Sequence, residues 1–388
     1  MSSPPAGLRE QNLKVIRLSS QTEWTIVLSI FRGTVTHQEA AKTTFQIVAE
    51  YVQDGPKQQV TIDSFPGLIS ILDEYASAAS GLINSQKRGP GGRRQQQPSS
   101  QKCIVVFVVS LGGADHLGRS PVIERGRKAV ELLFELKQFI PTFVQKHDIP
   151  KHQGWFAPNP PQITHSPPPS AWRQFCLPLM ASLERQSINS SREIRQVAIT
   201  HLQRVLLGQY ILLEDADQTQ VEEAFNRVVF PLVDELLKPE VFSRDPAGMP
   251  ETRLRAASLL CKTFMQLEVK EGESQTDIRV VWIQVLDLLD RLMNIDRQDQ
   301  LVCIHTFSLM ANHSSAISIQ REAIPETLKN VILVMNAAGL LVPPTEPDLR
   351  TEKQQRLWAT TEERLERFVP KFLGSVIVAT PKPRISSS

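Results

Sequence analysis

FNRVVFPLVDELLKPEVFSRDPAGMPETRLRAASLLCKTF, residues Phe225–Phe264, carries two apolar stripes at helical spacing with a turn between them. Phe225, Val228, Val229, Leu232, Val233, Leu236 and Leu237 form the first stripe, with Asn226, Arg227, Asp234 and Glu235 between them. Side chains three and four positions apart share a helical face, so this spacing predicts an amphipathic helix. The second helix is expected to start at Pro250, where a missing N–H costs nothing, and Glu251 complements its positive end. Leu254, Ala257, Cys261 and Phe264 line one face of it, and Arg253, Arg255 and Lys262 are expected to point elsewhere. Such a hairpin must bury its stripes against neighbours.

Those neighbours are legible on both sides. Downstream, Ile278–Met293 is apolar on nearly every side, which places it inside a stack of helices. Ile324–Met335 follows, stopped by Gly339 with Pro343 and Pro344. Lys353–Leu373 is the last helix of the series. Upstream lie Ala171–Glu184 and Arg192–Leu207, the latter with a capping box expected from Ser190 and Glu193. Further back, Trp24–Phe31, His37–Val52, Ile62–Ala79 and a long Val122–His147 read as helices. No run of alternating strands with turn signals occurs. Helix starts in the C-terminal half fall at a spacing near that of helical-pair repeats, without clean self-similarity. The fold class expected is all-α, an irregular armadillo/HEAT-like α-solenoid with disordered linkers.

The linkers follow from composition. NSQKRGPGGRRQQQPSSQK, ending at Lys102, holds too few apolar residues to offset its ordering entropy. PNPPQITHSPPPS, within 150–170, cannot form regular structure. Residues 1–80 therefore read as N-terminal helical repeats and 81–121 as a Gly/Pro/Gln-rich basic linker. Residues 122–378 read as a C-terminal helical-repeat domain interrupted at 150–170, and 379–388 as a disordered tail.

Composition excludes several functions. A net charge of +2 over 388 residues is too balanced to mark a nucleic-acid binder. The four cysteines stand far apart with no CxxC pair, which favours reduced core thiols over a disulfide framework or a zinc site. The apolar run Ile104–Val109 is far too short to span a bilayer, which needs about 20 residues. The eight histidines show no metal-ligand spacing, and His201, among Val197, Ala198 and Leu202, reads as a boundary residue of a helix. Gly89–Gly92 and Gly112–Gly118 lack the ending and context of a phosphate loop. Lys87, Arg88, Arg93 and Arg94 have no interleaved aromatic residues and read as a solvated linker. No catalytic, cofactor-binding or metal-binding residue is expected. The last helix offers a broad stripe of Leu357, Trp358, Thr361, Leu365, Phe368, Val369 and Phe372. Of these, Trp358, Leu365, Phe368 and Phe372 are the candidates for a membrane or partner face, against the simpler reading of a solenoid cap.

Six blocks in order carry a resemblance: REIRQVAITHLQRVLL, AFNRVVFPLVDELLKPEVF, GMPETRLRAASLLCKTF, WIQVLDLLDRLMN, EAIPETLKNVILVMNAAGLL and LWATTEERLERFVP. Together they resemble the downstream helical region of the large Golgi brefeldin-A-resistance guanine-nucleotide exchange factors for Arf GTPases. Trp24–Ser80 is similar, more weakly, to the preceding homology region of the same proteins. The resemblance implies a parent protein that loads Arf with GTP at Golgi membranes through a separate exchange domain, of which no segment is recognised here. It implies a non-catalytic regulatory and membrane-targeting scaffold, cytoplasmic and peripherally associated with Golgi membranes, without a cofactor. The implied partners are an Arf-type GTPase, engaged through the parent's exchange domain, and a Golgi membrane or membrane-bound protein; a homodimer stays open. The alternative is a general helical-repeat adaptor unrelated to Arf signalling. Relative to the family, LVCIHTFSLMANHSSAISIQ (Leu301–Gln320) reads as an insert between helices, expected to be a surface loop. Its ends fit an in-frame unspliced intron over Val302–Gln320.

Overall fold

The computed structural model describes residues 21–53, 60–87, 120–147, 149, 170–208, 218–267, 278–295 and 310–377; of 21–23, 81–87 and 310–322 it describes the backbone alone. The expected linker and tail segments 88–119, 150–169 and 379–388 lie outside these residues, as do Cys103 and Cys303. The chain is all-α, with no strand among the described residues. Its contacts separate into two units, 1–215 and 216–388.

In the first unit, α1 (Gln21–Thr34), α2 (Gln38–Gln53) and α3 (Phe65–Lys87) are followed by α4 (Pro121–Glu135), α5 (Ile140–His147), α6 (Leu177–Gln186) and α7 (Arg192–Leu207). The backbone of α3 runs to Lys87, several residues into the expected linker. Helix α3 packs along α4, and also on α1 and α6, while α4 packs on α7. Helices on either side of the 88–119 segment thus share one unit, which differs from the division drawn from composition. At Gly126 a Cβ would stand 2.6 Å from Ile194 Cδ1 and 3.4 Å from Ala76 Cα, so α4 passes α3 and α7 too closely for a larger residue. Phe65, Phe143 and Phe175 meet edge-on or tilted at 5.4–5.6 Å in the core.

The second unit contains α8 (Gln218–Ala224), α9 (Phe230–Leu236), α10 (Pro239–Phe242), α11 (Met249–Phe264), α12 (Ile278–Asn294), α13 (Met310–Ala337), α14 (Glu352–Phe368) and α15 (Phe372–Val376). Helix α11 is central, packing on α9, α12 and α13. It is accordingly buried nearly all round, from Met249 to Phe264. That burial includes Arg253, which was expected to face away. Its Nε donates to the Leu236 carbonyl at 2.9 Å and its guanidinium lies 4.9 Å from the Phe242 ring centroid. A carbonyl left over at the end of α9 needs a donor, and Arg253 supplies it.

Prolines account for most departures from the expected helices. Val122–His147 is interrupted by a 3₁₀ turn at Leu136–Phe139. Pro141 has no N–H for the Lys137 carbonyl, and the Ile140 N–H takes that carbonyl instead. The first helix of the hairpin is interrupted by a π turn, Phe225–Val229, just ahead of Pro231. The same device, Trp172–Cys176, precedes Pro178. In each, the N–H before the proline reaches back five residues, Leu177 to Trp172 and Phe230 to Phe225. The last helix stops at Phe368 rather than Leu373, because Pro370 forces Val369 out of the helical region (φ −136°, ψ 77°).

Two further expectations are corrected. Met310–Ala337 is one helix through Pro325, so residues 310–320 are helical and not a surface loop. A single lost hydrogen bond at Pro325 is outweighed by helix formers on both sides, such as Glu322 and Ala323 before it and Leu328 and Lys329 after it. Residues 301–309 lie outside the described set. The Ser190–Glu193 capping box does not form: α7 begins with Ser191 at its N-cap, and the Ser190 Oγ is buried without a partner. The Ser191 N–H goes to Asn189 Oδ1 (2.8 Å), a neighbour two residues back, and the Ser190 N–H to Ser80 Oγ (3.3 Å) of α3, so these bonds replace the expected cap. A capping box does form at Thr351 and Gln354. Gly339, at φ 73°, ends α13 as anticipated, with Leu340 N–H on Met335 O and Gly339 N–H on Asn336 O.

Candidate interaction surface

The stripe on the last helix divides. Leu357, Trp358, Thr361 and Leu365 are buried in α14, with Trp358 9% and Leu365 1% exposed. Phe368 and Phe372 are half-buried on either side of the Pro370 break. The buried part faces α12. Trp282 Nε1 donates to Thr361 Oγ1 at 2.9 Å, and that hydroxyl donates to the Leu357 carbonyl at 2.7 Å. The indole also meets Phe264 of α11, ring centroids 4.9 Å apart. Arg364 pairs with Asp287 of α12. Trp358 and Leu365 therefore do packing work, and of the four candidates only Phe368 and Phe372 keep appreciable access to solvent.

The outer face of α14 is charged and self-paired. Arg356 pairs with Glu352 and Arg367 with Glu363, each one turn apart. The Lys371 N–H is taken by Glu366 Oε2 at 2.7 Å, which holds the α14–α15 turn. Among the described residues no group of His, Cys, Asp and Glu could hold a metal ion. Cys176 and Cys261 are buried and in no disulfide, and burial pushes both thiols up to about 12, which leaves them unreactive core groups.

Sequence reasoning missed a buried polar seam in the first unit. Asp73 of α3 accepts from Ser182 Oγ (2.8 Å) and Gln186 Nε2 (2.9 Å) of α6, and pairs with Arg185. Gln186 also donates to Ser77 Oγ at 2.9 Å. Asn189 donates to the Ala76 carbonyl (3.0 Å) and accepts from Ser80 Oγ (2.9 Å). Arg195, fully buried, donates to the Asn189 carbonyl at 2.8 Å. Asp73, Ser77 and Ser80 sit at helical spacing on one face of α3, and that alternation is the signal that was available. It reads as an ordinary solvated edge until α6 covers it.

With this geometry in hand, the comparisons decide the family. A model described as "GBF1-like, tetratrico peptide repeat region" matches residues 176–372, just over half of the chain. The chain belongs to this family. Among curated relatives, the Golgi-specific brefeldin A-resistance guanine nucleotide exchange factor 1 homolog of Caenorhabditis elegans is 29% identical over 213 residues, covering 55% of this chain and 9% of that protein. The ARF guanine-nucleotide exchange factor GNOM of Arabidopsis thaliana is 26% identical over 170 residues, covering 44% of this chain and 10% of that protein. GNL1 of the same plant is 27% identical over 170 residues, 43% of this chain and 10% of that protein. The chain thus matches about a tenth of the length of these relatives. No solved structure matches it. The matched region opens within the π turn before α6 and closes in α15, so it takes in α14 and the α6 side of the polar seam. No described helix is long and apolar enough to cross a membrane.

Proposed function

We propose that this chain is a non-catalytic regulatory and membrane-targeting scaffold of an Arf guanine-nucleotide exchange factor in Golgi and early secretory vesicle traffic. The match over residues 176–372 carries this reading, because it aligns the chain's helical stack with a repeat region of proteins named as Arf exchange factors. The buried polar and aromatic side chains of both units serve packing, which is what a rigid frame requires. Exchange chemistry would come from another segment of the parent protein, and the Arf-type GTPase would be met there. Localisation would be cytoplasmic and peripheral to Golgi membranes, with Phe368 and Phe372 as the apolar contacts of α14 and α15 toward a membrane or a membrane-bound protein. Nucleotide release from purified Arf, followed by fluorescence with residues 1–388 added, tests the first part. The rate should stay at its spontaneous value; acceleration by this chain would overturn the non-catalytic reading. For the second part, Phe368→Ala with Phe372→Ala should reduce sedimentation with Golgi-composition liposomes, and unchanged sedimentation would remove this face from the proposal.

A further inference from the structure

The loop between α13 and α14 has no part in the surfaces described above. It reads VPPTEPDLR over residues 342–350, between the Gly339 stop and the Thr351 cap. It contains no helix, and every residue from 344 to 349 is exposed, Leu349 to 85%. Prolines at 343, 344 and 347 hold the residues before them out of the helical region. Arg350 clasps the loop at its base. Its Nη1 donates to the Val342 carbonyl at 3.2 Å, while its Nε and Nη2 donate to the Asp348 carboxylate at 2.9 and 2.7 Å. Thr345 lies in the exposed stretch, its hydroxyl donating to the Pro347 carbonyl at 3.1 Å. Glu346 follows it directly and Asp348 stands three residues beyond, both exposed. An exposed ion pair such as Asp348 with Arg350 is weak, so this carboxylate can exchange its partner for a better one. Thr360 is an internal control. It too precedes carboxylates, Glu362 and Glu363, but it sits in the middle of α14 with its hydroxyl on the Arg356 carbonyl at 2.8 Å. Two threonines of similar local charge thus differ in whether the backbone around them is free of a helix.

We infer that Thr345 is a phosphorylation site for an acidophilic Ser/Thr protein kinase. The basic substrate cleft of such an enzyme takes up Glu346 and Asp348, and this sets the Thr345 hydroxyl against the bound ATP. Thr345 Oγ1 bonds to the γ-phosphorus as the bridge to the β-phosphate breaks; the hydroxyl proton passes to the kinase's base and ADP leaves. The product carries close to two negative charges beside Glu346 and Asp348 and can no longer donate to Pro347, so like-charge repulsion loosens the loop. The test uses the full chain. It is incubated with ATP and a purified acidophilic kinase of the casein kinase II class, and phosphate is located by tandem mass spectrometry. Thr345 should be modified and Thr360 should not. Glu346→Gln with Asp348→Asn should cut incorporation at Thr345 by about tenfold or more, with an unchanged circular dichroism spectrum showing that the fold is kept. Hydrogen exchange over residues 342–350 should quicken in the phosphorylated chain. An unmodified Thr345 would overturn the site. So would incorporation that ignores the two carboxamides, or equal modification of Thr360, which would mean that the kinase reads unfolded chain. Unchanged exchange would remove the loosening of the loop.

Discussion

Helices α6 and α9 begin alike and are then secured in opposite ways. Each follows a five-residue π turn and carries proline as its second residue, and a fully buried arginine stands in the first turns of a helix downstream, α7 directly after α6 and α11 after the short α10. Arg195 donates to the Asn189 carbonyl and Arg253 to the Leu236 carbonyl, each serving backbone just past or at the end of the proline helix. There the likeness ends. Helix α6 meets α3 through Ser182, Arg185 and Gln186, a hydrogen-bonded seam around Asp73. Helix α9 presents Leu232, Val233 and Leu236 to its neighbours, and the adjoining joint of α11, α12 and α14 closes on Trp282. Apolar contact is tolerant in direction and costly to hollow out, whereas a polar seam demands that every partner be present.

The contrast can be broken by substitution, and the apolar joint should give the largest effect. Trp282→Ala removes a fully buried indole and its bond to Thr361. A loss of about 3–5 kcal/mol in urea denaturation is expected. In the seam, Asp73→Ala leaves Ser182 without its acceptor and takes one of three from Gln186, at a cost of about 2 kcal/mol. The seam should also be replaceable in a way the apolar joint is not. Asp73→Ala with Ser182→Ala should recover part of that loss, because the buried hydroxyl left without its acceptor is removed as well. If the double variant is worse than Asp73→Ala, the seam depends on more than satisfied hydrogen bonds.

A third effect lies at the α4–α7 contact and sharpens the comparison through pH. Burial, with Arg204 next, pushes His201 down to about 4 from its ordinary 6.5. The unfolded chain gains this proton as pH falls through 6.5 and the folded chain does not until about 4. The stability supplied by neutral His201 is therefore full above 6.5 and is lost as pH falls toward 4. Melting temperatures in chloride buffer should decline over that window, and less steeply in His201→Gln. Parallel curves for the two proteins would show that His201 titrates normally.

How much of this was legible depends on the range of the interaction. Apolar spacing located the helices because it is a local pattern: Phe225 to Leu236 bury the face their periodicity marks, whereas Ile278 to Met293, expected to be interior on nearly every side, buries one face and leaves Val280 51% exposed. Gly339 also spoke plainly, since a left-handed residue after a helix has few alternatives to glycine. Proline was read too leniently inside helices, at Pro141, Pro231 and Pro370, where the chain answers with 3₁₀, π or broken turns. The candidate stripe on α14 was found, but its division between core and surface was not. Trp358 and Phe368 look equivalent in sequence, and only the position of α12 buries one further than the other.

The order of helices, their apolar faces and the family signature were determined by the sequence itself, because each rests on residues within a few turns of one another. The partner chosen by each polar side chain was decided by tertiary structure alone. Ser190 loses its cap to long-range hydrogen bonds around Ser80 and Asn189, Arg253 turns inward to a carbonyl 17 positions back, and Asp73 meets Gln186 across 113 positions. A charged or hydroxyl side chain is equally content in water, so local sequence leaves it undecided. Packing removes that water, and the nearest unsatisfied backbone or side-chain group then determines where it bonds.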